Sequence, residues 1–143
     1  MLPPQIKELA EIIKDENSLI ILGKELGEVS AKEAALKMKE VTYIHSEAFS
    51  FGEFKHGPLA LLDSTKSPPV VCMIFDDEHF MANLNSMKQL KAQCVTARLI
   101  AITDCPEKIP QDLLFSTIEI PSSGPLTALL AVIPMQLLAL YTG

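Results

Sequence analysis

The chain has 143 residues, 48% of them hydrophobic and 21% charged. That is enough for one domain with its own core, and it excludes a disordered or fibrous chain. With 12 basic and 18 acidic side chains the formal charge is −6, a surface that repels phosphate backbones and anionic lipid, so neither a nucleic acid nor a membrane is expected as a partner.

Ile6, Leu9, Ile12 and Ile13 recur at helical spacing after Pro3-Pro4, which predicts an amphipathic first helix. Ser18–Gly23 is a short apolar run ending in glycine, the pattern of a buried parallel strand. Ser30 and Glu33 match a capping box, so a second helix is expected from about Ala31 to Ile44. Its apolar face would be Ala34, Ala35, Met38 and Val41. Residues 47–62 have no clear periodicity, though Leu59–Leu62 could form a short helix after Pro58 at its first position. Residues 63–69 read as a loop.

Val70–Phe75 predicts a second strand, and Phe80, Leu84, Met87, Leu90 and Ala92 a helix within His79–Cys94. Arg98–Thr103 and Thr117–Ile120 predict a third and a fourth strand. The run from Leu126 to Tyr141 is apolar but interrupted by Pro134 and Gln136, and it is shorter than the ~20 residues that span a bilayer. It is expected to be a helix buried in the core or in a subunit interface. Strands alternating with helices predict an α/β fold, a three-layer α/β/α sandwich with a mainly parallel sheet of about four or five strands.

The three cysteines, Cys72, Cys94 and Cys105, are widely spaced. They form neither a disulfide framework nor a zinc motif, and they suit a reducing, cytoplasmic compartment. Met1–Gln5 lacks the features of a secretory signal. No metal or cofactor motif is present, and no nucleophile motif of a hydrolase.

Two clusters could carry chemistry. Lys37 and Glu40 are three residues apart on one helix and share a face. With Glu33 four residues before Lys37, they could be a solvated ion-pair ladder. Facing a cleft, the carboxylate could instead carry a proton while the ammonium stabilises a developing oxyanion. The second cluster is Gly52–Pro58, which holds Glu53, Lys55 and His56 between glycines. His56 could be structural, or it could transfer protons near neutral pH. His45 and His79 have no comparable neighbours and read as structural or surface residues. The turn Gly23-Lys24-Glu25-Leu26-Gly27 would sit at the carboxyl edge of the sheet, where doubly wound folds bind ligands, but Glu25 and Glu28 oppose an anion.

The strings Leu36-Lys37-Met38-Lys39-Glu40 and Gly52-Glu53-Phe54-Lys55-His56-Gly57-Pro58-Leu59-Ala60-Leu61 together closely resemble the second sugar isomerase (SIS) domain of the glutamine–fructose-6-phosphate aminotransferases. The resemblance runs nearly the whole chain, to Ile133–Leu138. It implies a single SIS domain over residues 1–143, the C-terminal part of an isomerase region without that family's tail. It further implies condensation of ammonia with fructose 6-phosphate and rearrangement to glucosamine 6-phosphate, with no cofactor. Glu40 would move the proton between C1 and C2, Lys37 would stabilise the charged intermediate, and His56 would open the sugar ring in the partner subunit's site.

The implied partners are fructose 6-phosphate, a second copy of the chain, a first SIS domain that grips the phosphate, and a glutaminase domain that makes ammonia. The turn after the first strand departs from the family's L-G-R-G, reading Leu22-Gly23-Lys24-Glu25. An excised domain of this kind is expected to be inactive alone. Two other readings remain at this level: a stand-alone SIS domain that senses phosphosugars, and a dimerisation module built on the apolar last helix.

Overall fold

Apolar residues on both sides of the central strands decide the architecture. The computed structural model describes residues 4–16, 18–24, 26–42, 44–56, 68–94, 96–122 and 127–142. In chain order the elements are α1 (Pro4–Ile13), β1 (Ser18–Gly23), α2 (Leu26–Thr42), β2 (His45–Ser50), α3 (Phe51–His56), β3 (Val70–Met73), α4 (Phe80–Gln93), β4 (Leu99–Thr103), β5 (Ser116–Glu119) and α5 (Thr127–Thr142). Two short 3-10 turns, Pro106–Lys108 and Gln111–Leu113, connect β4 to β5.

The five strands form one sheet in the order β2-β1-β3-β4-β5, and every pairing is parallel. Alternate residues of a strand point to opposite faces. Leu19, Ile21, Val71, Met73, Ile100 and Ile102 therefore enter one core, roofed by α1, α2 and α5. Ile20, Leu22, Val70, Cys72, Leu99 and Ala101 enter the other, beneath α3, α4 and the 3-10 turns. This is the expected three-layer sandwich.

Helix α2 packs closely because Ala31, Ala34, Ala35 and Met38 line its inner face. The helix begins at Leu26, one turn earlier than the Ser30 motif suggested. Ser30 is buried within the helix, and Glu33 pairs with Lys37 instead of capping. Two features favour the earlier start. Glu28 lies in the first turn, where the helix dipole favours an anion, and it pairs with Lys32 at 3.1 Å. The helix stops at Thr42, two residues before Ile44. The Thr42 hydroxyl donates to the Met38 carbonyl at 2.6 Å and accepts from the Ile44 amide at 3.1 Å, turning the chain toward the sheet.

That turn leads into β2, a strand the sequence pattern does not reveal. His45–Ser50 is polar and lies at the edge, bonded on one side to β1, so its pattern carries no continuous apolar run. The strands expected at 70–75, 98–103 and 117–120 are present within two residues of those limits. The helices expected at the start, at 79–94 and at the end are also present. The possible helix at Leu59–Leu62 lies outside the described residues.

In α5, Ala131, Met135 and Ala139 recur every four residues and seat the helix on α1 and α2, while Ile133 and Gln136 face outward. Among the described residues no helix is long and apolar enough to cross a membrane. At the amino ends of the strands, Arg98 Nη1 lies 2.6 Å from Glu16 Oε1 and ties the entry of β4 to the segment between α1 and β1.

Ile21 is fully buried in a central strand between β2 and β3. Ile21→Ala should cost about 3–4 kcal/mol, read from the urea midpoint at unchanged slope.

Candidate functional site

Lys37 and Glu40 lie on the outer side of α2, away from Ala34, Ala35 and Met38. Lys37 Nζ is 3.6 Å from Glu40 Oε2 and 3.6 Å from Glu33 Oε1, so one ammonium is shared by two carboxylates. The Glu40 side chain is 53% exposed and the Lys37 side chain 35%. In this setting each pair is worth at most about 1 kcal/mol. Chemically the cluster is an accessible carboxylate with a cation beside it. Around it on the same helix, Val29, Leu36 and Val41 are exposed apolar side chains. A cavity of about 70 Å³ lies elsewhere, between α3 and α4, lined by Leu22, Phe51, Phe54 and Leu90 with Ser86 and Gln93.

Helix α3 is built by a true capping box. The Ser50 hydroxyl accepts from the Glu53 amide at 3.1 Å, and Glu53 Oε1 accepts from the Ser50 amide at 3.2 Å. Phe51 and Phe54 anchor the helix in the second core, and the Phe54 ring sits 5.7 Å from that of Phe49. His56 is the last residue of α3; its side chain, and that of Lys55, lie outside the described residues. The Ser50–Glu53 spacing is the sequence signal for this helix. Ser50 is a residue that sequence reasoning missed.

The chain path separates Glu40 from α3. Glu40 is in the last turn of α2, which ends at the amino edge of the sheet, whereas α3 starts at the carboxyl edge. The Glu40 segment thus lies at the amino edge of the sheet. A helix joining two parallel strands must run back across the sheet, so its end meets the start of the next strand. Between the two segments runs β2, six residues and about 20 Å long. In addition, α2 roofs the first core and α3 the second.

The other histidines lie at the surface or in turns. His45 Nε2 is 2.7 Å from Glu47 Oε1 on β2, both exposed. His79 precedes α4, its Nε2 3.6 Å from Glu78 Oε1. The carboxyl ends of β3 and β4 carry acidic residues. The Asp76 amide donates to Asp104 Oδ1 at 2.9 Å, Lys108 Nζ donates to Asp76 Oδ1 at 2.9 Å, and Asp77 Oδ1 accepts from the His79 amide at 2.8 Å. Asp76 raises the pKa of Lys108, chiefly through that hydrogen bond. No three His, Cys, Asp or Glu side chains among the described residues are grouped to hold a metal ion.

A parallel sheet in the order 2-1-3-4-5 with helices on both faces defines a doubly wound α/β domain of the flavodoxin-like topology. Within that class the SIS domain family matches residues 12–142, and the chain belongs to it. The chain is 38% identical over 139 residues to a glutamine–fructose-6-phosphate aminotransferase (isomerizing) of Methanosarcina acetivorans, covering 96% of the chain and 22% of that protein. It is 36% identical over 141 residues to the human aminotransferase 2 of the same name, covering 98% of the chain and 20% of that protein. It therefore spans about a fifth of the length of these relatives. Among solved structures, the C-terminal domain of glucosamine-fructose-6-phosphate aminotransferase from Francisella tularensis matches with a TM-score of 0.85 and 34% identity, covering 96% of the chain and 38% of that structure.

Hydrogen bonds from Ser50 hold the Glu53 carboxyl below its usual 4.5, with a smaller contribution from the Lys32 ammonium of α2. A folded pKa below the unfolded one means that the cap is fully formed above the usual carboxylate range. It is lost as pH falls from 4.5 through the lowered value. The Ser50 amide proton shift should stay constant down to about pH 5 and move below it. For the thiols, burial raises the pKa of Cys72, and it pushes Cys105 up to about 11 against a lowering hydrogen bond to Thr103. Cys94 is half-buried whereas Cys72 and Cys105 are buried, so a thiol reagent at neutral pH should modify Cys94 first and the other two only after denaturation.

Proposed function

We propose that this chain is the second SIS domain of an isomerising glutamine–fructose-6-phosphate aminotransferase, and that it supplies the proton carrier for making glucosamine 6-phosphate. The observation that carries this reading is the 3.6 Å pairing of Lys37 with Glu40 on an open face of α2, at the two positions where the resemblance calls for a cation and a base.

The reaction needs one carboxylate that takes a proton and returns it one carbon away. Ammonia condenses at C2 of fructose 6-phosphate to give an imine. Glu40 removes a proton from C1 as the imine nitrogen gains one, forming the enolamine, and then delivers its proton to C2 while the C1 hydroxyl gives up its own and becomes the carbonyl. Lys37 holds the negative charge that develops during the transfer. In bulk water the pair is a weak ion pair. Enclosed by a second surface, the same groups interact far more strongly, because the local dielectric falls. The exposed Val29, Leu36 and Val41 flanking the pair are apolar enough to meet such a surface.

His56 enters this scheme from a second copy of the chain. Within one chain, Glu40 and α3 belong to opposite layers and opposite ends of β2. A site that uses both residues draws them from two subunits, which supports a homodimer. The first SIS domain would contribute the phosphate clamp, and the glutaminase domain the ammonia. The free thiols suit a cytoplasmic protein. A stand-alone phosphosugar sensor is the weaker reading. Its phosphate would bind at the carboxyl edge, where Asp76, Asp77 and Asp104 repel it.

Residues 1–143 alone, given fructose 6-phosphate and ammonia, should form no glucosamine 6-phosphate. Grafted into the Methanosarcina acetivorans relative in place of the matching segment, they should support synthesis. Glu40→Gln in that chimera should lower synthesis by at least about a hundredfold while glutamine hydrolysis continues. Full synthesis by the Glu40→Gln chimera would remove Glu40 from the mechanism.

A further inference from the structure

Glu53 stands three residues before His56 in a segment rich in ionisable groups, and from the sequence it looks like a second acid or base. Its geometry in the folded chain argues for something else. Its carboxylate is turned back toward the start of α3, where Oε1 accepts the Ser50 amide while its own amide is taken by the Ser50 hydroxyl. We propose that Glu53 is a positioning residue, which fixes where α3 begins and thereby where its last residue, His56, is presented. This rests on the assignment of His56 made above.

Three observations carry the proposal. First, α3 has six residues. A helix that short has almost no cooperative stability of its own, so its ends and its anchors decide whether it forms. Second, the apolar anchors restrain one side alone. Phe51 and Phe54 sink into the second core, and the tilted Phe49–Phe54 contact restrains the helix tilt. Neither sets the residue at which the helix starts. The reciprocal pair of hydrogen bonds does, because it satisfies two amides that the helix leaves unbonded. Third, the Glu53 carboxylate is already engaged by the Ser50 amide, and that bond lowers its pKa, which makes it a weaker base than a free carboxylate. Those are the wrong properties for a proton carrier and the right ones for a permanent cap.

The test separates a cap from a reacting group through the conservative variant, since glutamine can also close a capping box. Amide exchange would be followed over 51–56 in residues 1–143, and glucosamine 6-phosphate synthesis in the chimera described above. Glu53→Ala should speed exchange of the α3 amides about fivefold and lower kcat, and Ser50→Ala should do the same from the other end of the cap. Glu53→Gln should restore exchange and kcat to within about twofold, with the pH profile of kcat unmoved.

Two results would overturn the proposal. One is a Glu53→Gln chimera as inactive as Glu53→Ala while its α3 exchange matches the unaltered chain, which would make the charge itself chemical. The other is unchanged exchange in Glu53→Ala. Full activity of a His56→Asn chimera would instead overturn the role given to His56, and the exchange measurement would still report on the cap.

Discussion

Burial of β1, β3 and β4 on both faces is the constraint from which the rest of the structure descends. Strands that are apolar on every side must be covered by two layers, and parallel strands can be joined only by crossovers that pass back over the sheet. The path of α2 follows. It leaves the carboxyl end of β1, runs back over the first core on a face of alanines, and ends at the amino end of β2. Lys37 and Glu40 have no freedom to be elsewhere. They occupy the outer side of that helix because Ala34, Ala35 and Met38 occupy the inner side.

Under the proposed function, the same constraint requires a site shared between two copies of the chain. After β2 the chain enters α3 on the other layer, so the two motif segments are held apart by the sheet that organises them. A carboxylate half open to water, beside an ammonium 3.6 Å away, is chemically competent but electrostatically weak. A second surface would change that by excluding water. In the proposed dimer, the exposed apolar side chains of α2 and the capped α3 would each meet the neighbouring copy.

Motifs in this chain mean different things depending on what surrounds them. Of the Ser-x-x-Glu patterns, one lies within β5 at Ser116 and two stand at helical segments, at Ser30 and at Ser50. The Ser30 pattern is overridden because Glu28 and Lys32 already stabilise a helix that begins a turn earlier. The Ser50 pattern is used because a strand ends at Ser50 and the next two buried phenylalanines need a turn to reach the core. Sequence spacing alone cannot rank the two, since the deciding term is the burial of residues far away in the chain.

The sequence by itself determined the α/β class, four of the five strands, the main helices and the pair of motif segments that carry the family resemblance. These are written as local apolar runs, as periods of two or 3.6 residues, or as strings of specific side chains, all of which act over short range. The tertiary structure alone decided that His45–Ser50 is a strand, because an edge strand is defined by its partner's hydrogen bonds and not by its own hydrophobicity. It also decided that Glu40 lies at the amino edge while α3 begins at the carboxyl edge on the opposite layer. The side of the sheet on which a segment falls follows from the connection of every element before it, and no window of neighbouring residues encodes that.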